Sequence, residues 1–205
     1  NDLNNIHGVL SVAHSIFKRW RPLFSSDELF LEIKFVLNKF CEPFMQLLVE
    51  TDKSIDANLN NKLILEQLFE NLLLLVKLYY DFNCQDIPEF FEDHMNTLMN
   101  AIHKYLVFKS DLLTDKDEDE EPDVLSKVKG SICDLIQLYS TRYQDVFDPL
   151  IEKFVQSSWN ELTSLTLQVK YDILTSKYLT FLTSIIKIPK YFDIFNNAQV
   201  LNEIF

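Results

Sequence analysis

The stretch LEQLFENLLLLVKLY, Leu65 to Tyr79, decides the fold class. Leu65, Leu68, Leu72, Leu75, Val76 and Tyr79 recur at three- and four-residue intervals, the period of an α-helix. Apolar side chains nearly surround this helix, so it belongs between neighbours and not on a surface. Asn83 and Cys84 break the pattern. On the amino-terminal side, Ile6, Leu10, Ala13, Phe17 and Trp20 form another helical stripe. Arg21-Pro22 ends it, because proline pushes the preceding residue out of the α region. Ser26 and Asp27 can cap the next helix, whose stripe runs Leu29, Ile33, Val36, Phe40, Phe44 and Leu47, with a kink expected at Pro43. The polar stretch Thr51–Asn61 then separates it from the helix quoted first.

On the carboxy-terminal side, Asp86 can cap a helix with Pro88 in its first turn. That helix carries Phe91, Met95, Leu98, Ile102 and Leu106. Leu125, Val128, Ile132, Leu135, Tyr139 and Tyr143 mark another. Asp148-Pro149 opens a further one with Ile151, Phe154, Val155, Trp159 and Leu162. Tyr171, Leu174, Tyr178, Leu182 and Ile185 follow, stopped by Pro189. A short turn spans Tyr191–Phe195, and a last helix begins near Ala198. No segment alternates as a strand does. The expectation is an all-α chain in which consecutive helices pack antiparallel.

Composition narrows the function. Only Gly8 and Gly130 occur in 205 residues, so no glycine-rich phosphate-binding loop can form. Apolar residues are 47% and charged residues 24%, a globular balance. Cys41, Cys84 and Cys133 are widely spaced and read as reduced core thiols. The net charge is −12. The segment 111–123 (DLLTDKDEDEEPD) holds eight acids against Lys116, a net −7 that leaves −5 for the other 192 residues. It reads as a solvated loop. Nucleic acid as a ligand is disfavoured, because it needs clustered cations. No apolar run approaches the ~20 residues of a membrane span. The chain opens on Asn1 and not Met, and is read as a piece of something longer.

Candidate chemistry is sparse. His7, His14, His94 and His103 lack metal-ligand spacing. Glu89, Glu92 and Asp93 suit the first turn of a helix, where acids complement the dipole. The cluster Lys18-Arg19-Trp20-Arg21 can stack on a base, but cations at a helix end explain it more simply. No catalytic residue, cofactor or metal is expected. Helix pairs recurring at about 47–63 residues (starts near 4, 60, 123 and 170) resemble long HEAT-type units, and an array of such units can be cut anywhere. The expected units are 1–55, 56–110, 124–168 and a truncated 169–205, with the acidic loop at 111–123.

Six segments carry a family resemblance: GVLSVAHSIFKRWRPLF (Gly8–Phe24), SDELFLEIKFVL (Ser26–Leu37), KLYYDFNCQDIPEFFED (Lys77–Asp93), YSTRYQDVF (Tyr139–Phe147), VKYDILTSKYLTFL (Val169–Leu182) and IPKYFDIFNN (Ile188–Asn197). In this order the chain resembles the importin-α re-exporters, the CAS or exportin-2 family of the importin-β superfamily, and looks close to its yeast-type members. The resemblance implies a HEAT-repeat α-solenoid: antiparallel helix pairs in a superhelix. It implies repeats that follow the amino-terminal ones of a nuclear export receptor. Such a receptor binds importin-α together with Ran-GTP, passes nuclear pore proteins, shuttles between nucleus and cytoplasm, and performs no chemistry. The alternatives are a helical-repeat scaffold unrelated to nuclear transport, and an all-α enzyme, which would need a closed pocket with convergent polar groups. An inner row of helices forms the binding surface of such arrays. If the second helix of each pair is inner, the exposed acids available to a basic partner are Glu28, Glu32, Glu89, Glu92, Asp93, Glu152 and Glu161.

Overall fold

A computed structural model describes residues 2–25, 27–83, 86–114, 122–165 and 172–197. These residues form helices α1 (Asp2–Trp20), α2 (Asp27–Ala57), α3 (Lys62–Phe82), α4 (Glu89–Asp93), α5 (Met95–Leu106), α6 (Val124–Arg142), α7 (Gln144–Ser164), α8 (Asp172–Ile186) and α9 (Phe192–Asn197), with no strand among them. Short 3-10 turns cover Arg21–Ser25 and Pro189–Tyr191. Cys84, most of the acidic run (115–121) and the helix expected near Ala198 lie outside the described residues.

The local signals act mostly where expected. Pro22 sits in the turn that ends α1. Asn61 caps α3 by accepting from the Ile64 N–H, and Asp123 caps α6 by accepting from the Ser126 N–H at 2.7 Å. The α3 stripe is buried on several sides, with Leu65, Leu72, Leu75 and Tyr79 fully enclosed.

Several expectations are corrected. Helix α2 holds Pro43 inside it as expected, but runs on to Ala57, across the polar stretch read as a link. Thr51 and Ile55 face the core there. Asp52 and Asp56 receive Lys104 at 2.7 and 2.8 Å, and Asp52 also accepts from the Tyr105 hydroxyl. The buried stripe of α2 is Ile33, Leu37, Cys41, Phe44 and Leu48, rotated from the expected one, so Phe40 is 43% exposed. The helix expected from Asp86 is two pieces broken at His94, and Pro88, not Asp86, precedes the first. Its stripe nevertheless stays buried across the break. Helix α7 begins at Gln144, a turn before Asp148, because Phe147 packs into the core against Tyr139 and Phe154. Leu113 is buried, so the surface loop starts later than Asp111.

Two rows of helices result. Helices α1, α3, α6 and α8 pack directly on one another in succession, whereas α2, α4–α5 and α7 touch each other little. Helix α2 packs mainly against α3 and less against α1, with which it was expected to pair, meeting it where Phe40 lies edge-on to Phe17 at 5.3 Å. Helix α7 meets α6 and α8 alike, so only α2 leaves its expected partner for the next helix. Helices α1, α3, α6 and α8 form a tightly packed row, and α2, α4–α5 and α7 a looser one.

Polar links fasten the tight row. Asn71 of α3 is buried; its carboxamide oxygen meets His7 Nδ1 at 3.1 Å, and its nitrogen donates to the Leu3 carbonyl at 3.3 Å. The Tyr79 and Tyr139 hydroxyls lie 2.9 Å apart, and Tyr139 also donates to Asn83 Oδ1 at 2.9 Å. Tyr139 has one hydroxyl proton, so Tyr79 supplies the proton between the two rings. Lys177 of α8 grips both carboxylate oxygens of Asp134 at 2.7 Å.

Candidate protein-binding surface

The seven acids expected to bind a partner all lie on α2, α4 and α7, the loosely spaced row. Glu32, Glu89, Glu92, Asp93 and Glu152 are exposed there. The side chain of Glu28 lies outside the described residues. Glu161 is corrected outright. It is buried, and its carboxylate accepts a hydrogen bond from the buried Lys129 of α6. It closes an ion pair inside the wall between α6 and α7 and offers nothing to solvent.

The tight row presents a cleft instead. It opens between α1, α3 and α6 with a volume of about 570 Å³. His14 and Lys18 enter from α1, Arg21 from the 3-10 turn that follows it, and Lys77, Tyr80 and Asp81 from α3. The cluster Lys18-Arg19-Trp20-Arg21 is split by this packing. Trp20 turns inward, edge-on to Phe17 at 5.5 Å. Arg21 lies over the Tyr80 ring at 5.3 Å and donates to Asp81 at 3.3 Å. A base cannot use Trp20 as an open platform.

Asp81 is the unusual member. Its carboxylate is almost wholly buried, and Oδ2 has no hydrogen-bond partner; His14 Nε2 stands 3.6 Å away. Burial pushes its pKa up to about 6, against the pull of Arg21 and Lys18. Burial, with the nearby Lys77, Lys18 and Arg21 charges, holds His14 below its ordinary value. Sequence reasoning missed this site, because its four charged types come from three helices and form no linear motif.

A carboxyl with a raised folded-state pKa binds a proton more tightly folded than unfolded. Its contribution is complete below 3.8 and is lost as pH rises through about 6. The full span corresponds to about 3 kcal/mol. Asp81→Asn should therefore gain stability relative to the parent between pH 4 and pH 7, by up to about that amount. Urea midpoints at both pH values check it; a difference that does not change with pH would contradict the buried-carboxyl reading.

The remaining histidines are bonded structurally: His94 Nδ1 to the Phe90 carbonyl at 2.8 Å and His103 Nε2 to Ser157 Oγ at 2.8 Å. Among the described residues no group of His, Cys, Asp or Glu is arranged to hold a metal. Cys41 and Cys133 are free and buried, and burial raises both thiol pKa values. No helix of the described residues is long and apolar enough to cross a membrane.

A family model described as Cse1 matches residues 16–205. The chain belongs to the Cse1 family. It is 60% identical over its whole length to the importin alpha re-exporter of Saccharomyces cerevisiae and 49% identical, over 98% of its length, to that of Schizosaccharomyces pombe. Exportin-2 of Homo sapiens is 41% identical over 99% of the chain. In each case the Cse1-family chain described here spans 21% of the relative's length. A solved structure, the exportin Cse1 in its cargo-free, cytoplasmic state, superposes with a TM-score of 0.93 at 60% identity, covering all of this chain and 22% of that one. The Cse1 likeness confirms the all-α HEAT-repeat solenoid.

Proposed function

We propose that this chain is a stretch of repeats from an importin-α re-exporter, and that the complete receptor binds importin-α together with Ran-GTP and returns importin-α to the cytoplasm. The observation carrying this reading is 60% identity to a re-exporter over the entire chain, with a fold that superposes at a TM-score of 0.93. On this reading the chain works by binding and carries out no reaction of its own. The receptor shuttles between nucleus and cytoplasm and meets nuclear pore proteins on the way.

The physical logic is linkage. If importin-α and Ran-GTP both favour one closed superhelix, each raises the other's affinity by the same factor. A coupling of the usual size gives about 5–150-fold. The expected result is that the full-length receptor binds importin-α at least about fivefold more tightly with Ran-GTP present, and that Ran-GDP does not substitute. Equal affinity in all three conditions overturns the proposal. In the same assay, reversing Glu89, Glu92 and Asp93 to lysine tests whether the exposed acids of the looser row meet a basic partner; unchanged affinity removes them from the interface.

A further inference from the structure

We propose that the cleft between α1, α3 and α6 is a docking site for an acidic segment of a protein partner, held by Lys18 and Lys77. This goes beyond the re-exporter reading and stands or falls separately from it.

Charge accounting inside the cleft carries the argument. Arg21 is committed to Asp81 and Asp134 to Lys177. Lys18 and Lys77 close no ion pair among the described residues; Lys18 acts on Asp81 only as a more distant charge. Both line the same cleft as His14, Lys18 from α1 and Lys77 from α3, so they converge on one spot from two helices. Two uncommitted ammonium groups beside a third cation and an imidazole make a local positive centre in a chain of net charge −12. Such a centre costs electrostatic self-repulsion, and an incoming carboxylate relieves it. Tyr80 forms a half-buried wall beside the guanidinium of Arg21. The cleft also opens between three helices of the tightly packed row. A nucleic acid is the poorer fit. A duplex is neutralised by a row of cations along its backbone, and two free lysines in an otherwise acidic chain do not supply one.

The test is fluorescence anisotropy of a labelled hexaglutamate peptide with the 205-residue chain at about 50 mM salt, where charges at this range are not screened out. Lys18→Glu/Lys77→Glu should weaken binding about tenfold or more, since charge-assisted contacts are the strong ones. Lys53→Glu/Lys153→Glu, on exposed positions of the other row, changes net charge equally and should stay within about threefold, because exposed charges a Debye length away are largely screened. Lys18→Gln/Lys77→Gln should fall between the two and keeps the result readable if charge reversal disturbs folding. Equal weakening by both reversals would reduce the effect to the chain's overall field and overturn the site. So would the absence of hexaglutamate binding, or binding of heparin or single-stranded DNA where the peptide fails.

Discussion

Glu161→Ala should destabilise the chain by about 3–5 kcal/mol, the usual cost of stranding one member of a buried ion pair. Lys129 is 6% exposed and Glu161 7%, on neighbouring helices 32 positions apart in sequence. Removing the carboxylate leaves a buried ammonium with no counter-charge, which must drag in water or lose its proton. Lys109 approaches the same carboxylate at 3.9 Å, but from an exposed position, so it adds little. The double variant Lys129→Met/Glu161→Leu should recover most of the loss, because well-packed apolar replacements of a buried pair are often neutral or better. Urea unfolding of the three proteins decides it. A cost below about 1 kcal/mol for Glu161→Ala would mean the carboxylate is solvated as a surface acid is.

The second large effect is expected at Phe91, where alanine should cost about 3–5 kcal/mol. Helix α4 is five residues long, too short to hold itself together. Its fully buried Phe91 ring is its anchor, edge-on to Phe44 of α2 at 5.5 Å and to Tyr79 of α3 at 5.2 Å, and stacked with Phe82 at 5.9 Å. Losing the ring opens a cavity where three helices meet and frees the segment before His94. Phe90→Ala is the internal comparison: Phe90 is half-buried and stacks on His94 at 4.4 Å. Thermal unfolding should rank the Phe91 variant well below the Phe90 variant, and amide exchange over 89–93 should rise only in the former. Equal melting temperatures would remove Phe91 as the anchor.

The family was legible in the sequence because six ordered segments carry it, and a relative 60% identical leaves no room for another fold. The candidate surface was not legible. Glu161 and Glu152 look alike along the chain, both acids on one helical pattern. Only the arrival of Lys129 from α6 makes one of them buried. Asp81 reads as a helix-end acid after two tyrosines, yet α1 seals it and leaves Oδ2 unbonded. The basic cluster looked like an aromatic flanked by open cations until Trp20 turned into the core and Arg21 onto Tyr80.

What the sequence determined by itself is the helices and most of their ends. Apolar period, the Asn61 and Asp123 caps and the stop at Arg21-Pro22 act within a turn or two of the residues that cause them. Tertiary structure alone decided which helices pack closely on one another. Helix α2 packs more on α3 than on its chain neighbour α1, with Phe44 of its buried stripe against Tyr79 and Phe82. The rotated stripe through Phe40 has the same period, so the chain alone cannot choose between them. Burial against a partner tens of residues away makes that choice, and it also brings Lys129 to Glu161 and raises the pKa of Asp81.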